Sequence, residues 1–408
     1  MLFHILLALA AVIATGRVLG ALCRRLGQPP VIGEILAGIA LGPSLLGQVA
    51  PSWADFLLPS SVMPALGVLA QFGVVLYMFC MGLELDLDHL LRRGRSTLVI
   101  SQTSLVVPYL CGLALAAAMY PQFAGEHGSP LVFALYLGTA MSVTAFPVLA
   151  RILSDTGLSK TPLGVQALSC AAAVDAQAWC LFALATGAAQ SDHMAGMWAI
   201  AMALVYLLVM LYVVRPLAGR WAQQLDDVPS TGALAVAFLA LLISALVTEG
   251  IGIHALFGAF ALGAVVPHES RLSLVLRDKL EDLVTVLLLP AFFAFAGMRT
   301  ELGLVSGLSN WLWCGAIIAV ASASKFVGTY VAARLVKVDN RQSICLGLLM
   351  NTRGLMELVV LNIGLENGYI TPQLFAMMVL MTLVTTLMAT PLMALVRRTA
   401  VAPEPAIS

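Results

Sequence analysis

The chain predicts an all-α polytopic membrane protein of about thirteen transmembrane helices arranged as inverted repeats, and three observations carry that reading. Apolar residues make up 61% of the 408 and charged residues only 10%, with a mean hydropathy of +0.97, which no soluble domain of this length shows. Apolar runs of spanning length recur from one end of the chain to the other. Two of these runs are interrupted, at Ser142-Val143-Thr144-Ala145-Phe146-Pro147 and at Asn351-Thr352-Arg353-Gly354.

Taken in order, the runs fall at about 1–22, 31–48, 62–85, 97–120, 130–154, 163–187, 194–214, 230–247, 250–267, 280–298, 310–333, 342–365 and 372–396. The first has no preceding basic region and no clear small-residue cleavage site, so it reads as a retained helix. Every odd-numbered run ends in basic residues: Arg24 and Arg25; Arg92, Arg93 and Arg95; Arg151 and Lys160; Arg215 and Arg220; Arg271, Arg277 and Lys279; Arg334, Lys337 and Arg341; Arg397 and Arg398. The alternate loops hold Asp55, Glu126, Asp192, Glu249, Glu301 and Glu366, with Arg299 their one basic residue. Basic loops face the cytoplasm, so an odd number of helices puts the C-terminus inside and the N-terminus outside an inner, plasma-type membrane.

The loops 219–230 and 267–281 are too short to hold a domain, and a short cytoplasmic tail, 399–408, is expected after a single membrane domain, 1–398. No phosphate-cradling Gly-Lys-Ser/Thr loop is present, so neither an ATP-driven pump nor a nucleotide-binding regulatory domain is expected. Basic and acidic residues balance at 21 each, and no nucleic-acid partner is expected. The seven cysteines, Cys23, Cys80, Cys111, Cys170, Cys180, Cys314 and Cys345, lie in or beside apolar runs without metal-ligand spacing. They read as packed thiols, with no cofactor.

The interrupted runs are the fifth and the twelfth. An offset of seven helices reverses orientation, so helices one to six (1–187) and eight to thirteen (230–396) form the expected inverted repeats, with the seventh (194–214) as connector. Paired interruptions in inverted halves point to a transport site at the midplane. In the first, Pro147 has no N–H and its ring clashes with the preceding turn, freeing carbonyls near Val143 and Thr144. Free carbonyls beside a carboxylate make a cation site.

That carboxylate is Asp175, alone in Cys170-Ala-Ala-Ala-Val-Asp-Ala-Gln-Ala-Trp-Cys180. A charge at the centre of a bilayer helix costs roughly 3 kcal/mol on insertion scales, so it persists only against a polar cavity or a partner. A dry carboxyl favours its protonated form and a bound cation the ionised one; one carboxylate cannot hold both, which is the chemistry of exchange. The bland alternative is an Asp capping a broken helix end. Lys325, among the small residues of Ala321-Ser-Ala-Ser-Lys-Phe-Val-Gly-Thr329, reads either as a proton-releasing partner of Asp175 or as half of a structural salt bridge. Arg353 is a fixed charge that needs an anion, Glu357 at i+4 or Glu34, and its role reads as structural. His254 reads as packed, the glycines from Gly33 to Gly42 as close helix packing, and the methionines as core filling.

Four stretches then resemble a known family: Pro30-Val-Ile-Gly-Glu-Ile-Leu-Ala-Gly-Ile-Ala-Leu-Gly-Pro43, Leu76-Tyr-Met-Phe-Cys-Met-Gly-Leu-Glu-Leu-Asp86, Thr144-Ala-Phe-Pro-Val-Leu-Ala-Arg-Ile-Leu153 and Leu288-Leu-Pro-Ala-Phe-Phe-Ala-Phe-Ala-Gly-Met-Arg299. They are similar to the monovalent cation:proton antiporter superfamily, in its branch of bacterial sodium/proton exchangers, potassium-efflux proteins and plant cation/proton exchangers. Asn351-Thr-Arg-Gly-Leu-Met-Glu-Leu-Val-Val-Leu-Asn-Ile-Gly364 is close to the plant type. The resemblance implies a sodium/proton antiporter-like fold in which two crossed, unwound helices sit in a core domain that rocks against a dimerisation domain in a homodimer. It implies transport of Na⁺ or K⁺ against H⁺ and no enzymatic activity. The essential carboxylate then maps onto Asp175, the unwound-helix threonine onto Thr144 and the core lysine onto Lys325. Many members carry a second acidic or amide residue where this chain has Val174, so one-for-one, electroneutral exchange is expected. A channel-like or gated K⁺ efflux protein, and a transport-dead membrane sensor, are the alternatives on the same scaffold.

Overall fold

The computed structural model describes residues 2–85, 95–188, 193–224, 231–252 and 254–398. Arg92, Arg93, Asp192 and the expected tail 399–408 lie outside them. Among the described residues every regular element is a helix, apart from one isolated antiparallel bridge between Ala124 and Ile370. The chain is a multi-pass integral membrane protein, with ten helical runs among the described residues long and apolar enough to span.

Each of the thirteen expected runs is helical, and the difference from ten falls on three of them. Run five is divided into Pro130–Ser142 and Phe146–Asp155, and run twelve into Asn340–Met350 and Leu355–Glu366. Run nine is Ala255–Val265, only 11 residues, short of the roughly 20 that a 30 Å hydrocarbon layer asks for. Run ten begins earlier than hydropathy suggests, because Arg271–Leu283 is an amphipathic helix that buries Leu272, Leu276 and Leu280. It passes through a π turn, Val284–Leu288, into Leu289–Met298. Run seven likewise continues past its expected end, through the π turn Met210–Val214 into Arg215–Gln224.

The chain forms two compact units, one of Met1–Leu19, Gly33–Arg92 and Trp179–Thr300, the other of Gly20–Ile32, Arg93–Ala178 and Glu301–Ser408. In the first, Met63–Glu84 packs on Ala255–Val265, which packs on Thr231–Ile251. The first of these crossings is made at two glycines: a Cβ on Gly82 would lie 2.3 Å from the Phe260 carbonyl oxygen, and one on Gly263 2.3 Å from that of Phe79. The expected glycine-mediated packing near residue 38 is present, since a Cβ on Gly38 would stand 2.2 Å from the Ala294 carbonyl. His254 starts the helix Ala255–Val265, its ring nitrogen accepting the Leu256 N–H at 3.4 Å. Glu84 accepts a 2.6 Å hydrogen bond from Arg277, and Glu34 lies within electrostatic reach of Arg17.

In the second unit Arg95–Phe123 packs against Pro130–Ser142 and Gly307–Leu335. The last helix, Pro372–Arg398, lies along Gly307–Leu335, Asn340–Met350 and Leu355–Glu366. None of the seven cysteines is in a disulfide among the described residues.

Candidate functional site

Both interruptions lie in the second unit, and the sequence dictates each. The first half-helix stops at Ser142; Val143 and Ala145 are extended, and Phe146 starts the next with Pro147 in its first turn. That is where a residue without an N–H does least harm, since those amides have no helical acceptor in any case. The second stops at Met350 and resumes at Leu355 after Asn351, Thr352, Arg353 and Gly354. The two breaks bond to each other: Thr144 Oγ1 donates to the Met350 carbonyl at 3.1 Å, and the Ala145 N–H to the Thr352 carbonyl at 3.0 Å. A Cβ on Gly354 would lie 2.8 Å from Val148 Cγ2, so the chain passes close only because that residue is glycine.

A helix that ends in the membrane leaves carbonyls without donors, an end that carries roughly half a negative charge. Here cationic side chains cover the first half-helix. Arg353 Nη1 donates to the Ala140 carbonyl at 2.9 Å and Nη2 to the Met141 carbonyl at 2.7 Å. Lys325 Nζ donates to the Ser142 carbonyl and, from the other side, to that of Ser104 at 2.9 Å. Both side chains are buried, at 1% and 0% exposure. Lys325 therefore serves carbonyls: among the described residues it makes no ion pair with Asp175.

Asp175 stands at the opposite pole. It is 6% exposed and accepts the N–H of Phe146, the first residue of the resumed helix, where the helix end is positive. Its Oδ1 is buried and has no hydrogen-bond partner. Val174 beside it is wholly buried and brings no polar atom. Glu357, in the first turn of Leu355–Glu366, lies 3.5 Å from Arg353 Nη1 in an ion pair with both side chains fully buried. Thr386 completes the second break, accepting the Arg353 N–H at 3.1 Å and donating to its carbonyl at 2.8 Å.

The structure thus gathers Thr144, Ala145, Phe146, Asp175, Lys325, Asn351, Thr352, Arg353, Gly354 and Glu357 about one crossing, with Ser142 and Val143 at its carbonyl end. Glu34, weighed as a partner of Arg353, belongs to the other unit, and Glu357 holds that place.

The transmembrane sodium/hydrogen exchanger family model matches residues 8–396. The chain belongs to the sodium/hydrogen exchanger family. It is 40% identical to the Na(+)/H(+) antiporter NhaS4 of Synechocystis over 96% of both chains. It is 36% identical to Cation/H(+) antiporter 20 of Arabidopsis thaliana, over 94% of this chain and 47% of the relative. To K(+)/H(+) antiporter 1 of Saccharomyces cerevisiae it is 33% identical, over 90% and 43%. The chain thus spans nearly the whole cyanobacterial relative and about half the length of the plant and yeast ones. The fold is similar to that of the sodium proton antiporter MjNhaP1 from Methanocaldococcus jannaschii, with a TM-score of 0.67 at 15% identity over 97% of this chain and 99% of the other.

Two parts of this exchanger's crossing are absent from the sequence reading. Thr386 bonds the second break from the last helix, where Thr382, Thr385 and Thr386 are buried together, and their i, i+3, i+4 spacing inside an apolar run is the signal that finds them. Ser104 reaches Lys325 through its backbone carbonyl, on a helix where Thr97, Ser101 and Ser104 form a buried small polar stripe.

Proposed function

We propose that the protein is a secondary active exchanger of a monovalent cation, Na⁺ or K⁺, for H⁺ by alternating access, with Asp175 binding the two in competition. The observation that carries the reading is the Asp175 carboxylate oxygen Oδ1, buried in the membrane region and without a partner. A buried anion in this condition takes up a proton or a cation, and exchange follows when each displaces the other. Lys325 and Arg353 are committed to carbonyls and Arg353 also to Glu357, so Asp175 is the charge free to respond. With Val174 apolar, one carboxylate per cycle supports one-for-one, electroneutral exchange. The names of the relatives, which carry Na⁺, K⁺ or unspecified cations, support the same class of substrate.

The two breaks bonded to each other support inverted repeats over 1–187 and 230–396, with 194–214 between them. The loop charges support an inner-membrane orientation with the C-terminus cytoplasmic, and the resemblance supports a homodimer.

The test is proton movement in proteoliposomes with a preset pH gradient, adding Na⁺, K⁺, Li⁺ or Rb⁺ in turn. Expected is dissipation by one cation in the wild type, none in Asp175→Asn, and a rate independent of membrane potential. An intact gradient for every cation with the wild type overturns antiport, and K⁺ flux without proton movement would indicate a channel-like efflux protein instead.

A further inference from the structure

We infer that Asn351 supplies a neutral oxygen ligand to the transported cation, completing from the second break the coordination that Asp175 begins at the first. The inference rests on the antiport reading and adds to it a residue that sets cation affinity.

Nearly every polar side chain at the crossing is committed. Thr144 Oγ1 donates to Met350, Thr352 Oγ1 to Leu349 at 2.8 Å, and Thr386 holds both backbone groups of Arg353. Lys325 and Arg353 hold carbonyls, and Glu357 carries the charge of Arg353. Among the residues of the two breaks and Asp175, two acceptor oxygens have neither a donor nor a fixed countercharge in an ion pair, Asp175 Oδ1 and Asn351 Oδ1, both buried; the Ser104 hydroxyl, on the helix whose carbonyl Lys325 holds, is likewise unpartnered. Asn351 is 8% exposed, and buried amide oxygens in proteins are almost always paired, so an orphan asks for an explanation.

Its place in the chain supplies one. Asn351 lies between Met350 and Thr352, the two residues whose carbonyls receive the hydrogen bonds from Thr144 and Ala145. The next residue of that break, Phe146, gives its N–H to Asp175. The orphan amide and the orphan carboxylate are thus anchored to consecutive residues of one strip of backbone.

An alkali cation that sheds water needs several oxygens in return. A second carboxylate at this point would also take a proton, and the site would then exchange two protons or carry net charge. An amide oxygen binds the metal ion through its lone pairs and does not titrate at physiological pH. Asn351 therefore strengthens the cation side of the competition at Asp175 and leaves the proton side alone. It fills the part that Val174 cannot.

The experiment measures the cation concentration for half-maximal transport in proteoliposomes, and for half-maximal thermal stabilisation in detergent, in the wild type, Asn351→Ala and Asn351→Asp. Asn351→Ala is expected to raise both half-saturating concentrations by about tenfold, the scale of one lost contact to a charged ligand, and by more than it lowers the maximal rate. Asn351→Asp, which keeps an oxygen and adds charge once ionised, is expected to lower them below the wild type when measured at alkaline pH, where the added carboxyl gives up its proton. A residue that only holds the helix end would lower the melting temperature without moving either concentration, and that result overturns the inference while leaving antiport intact. If Asn351→Ala does not fold, Asn351→Asp decides alone: unchanged half-saturation overturns the inference. Absence of any saturable cation effect in the wild type removes the antiport reading itself, and this inference with it.

Discussion

The two broken helices solve the same problem with opposite chemistry. At the first, cationic side chains, Arg353 and Lys325, cover the carbonyl end, and a carboxylate, Asp175, meets the amide end. At the second, neutral donors, the Thr144 hydroxyl and the Ala145 N–H, cover the carbonyls of Met350 and Thr352. The carboxylate near its amide end, Glu357, is tied to Arg353. One break thus holds its carboxylate in an ion pair, and the other meets a carboxylate that has no ion-pair partner among the described residues. The number of buried charges therefore does not locate the reactive one; what remains after each has found its partners does.

The comparison breaks most visibly at Asp175. Replacing it with Asn should reduce cation-driven proton movement to the level of empty liposomes, whereas Glu357→Gln should retain measurable exchange in the same assay. If Glu357→Gln alone silenced transport, the assignment of the two carboxylates would be reversed. Arg353→Ala should have the largest effect on stability, about 3–5 kcal/mol read as loss of the folded dimer or monomer on heating, because it strands Glu357 together with two carbonyls. Next comes Lys325→Met, expected to cost about 2–3 kcal/mol for two charged hydrogen bonds lost to backbone acceptors. Gly354→Ala should cost about 1–3 kcal/mol by forcing the 2.8 Å approach to Val148. A Val148→Ala background should recover part of that, which separates a steric cause from a conformational one. The smallest effect is Thr386→Val, about 1–2 kcal/mol, since it removes a hydroxyl that serves both backbone groups of Arg353.

Much of this was legible beforehand because charge stands out in an apolar run. Asp175, Lys325, Arg353 and both interruptions are found by that contrast and by Pro147 and Gly354. The partner of Lys325 was not legible: Asp175 was one expectation, and the structure gives two carbonyls. Backbone acceptors belong to every residue, so no letter of the sequence marks Ser104 or Ser142 as their source. The threonines of the last helix escaped for a related reason, as uncharged residues barely disturb hydropathy and only their spacing gives them away. In the fold, the long runs were legible from length alone, while Arg271–Leu283 was not, since its charges hide a buried leucine stripe until the helical period is applied.

The small bridge between Ala124 and Ile370 constrains the path of the whole chain. It is reinforced by the Gly125 and His127 amides, which donate to the Tyr369 and Gly368 carbonyls at 3.1 and 2.9 Å. Two connecting segments joined by backbone hydrogen bonds share one face of the membrane, so the chain between them crosses an even number of times. Pro162–Ala188, Ala201–Gln223, Thr231–Ile251, Arg271–Leu304 and Gly307–Leu335 are long enough to cross in that interval, and they are odd in number. With all five crossing, an even count requires that either one or all three of the remaining pieces, the two broken helices and the short Ala255–Val265, also traverse the bilayer. A few hydrogen bonds in a surface loop thereby rule on the sidedness of residues a hundred or more positions away.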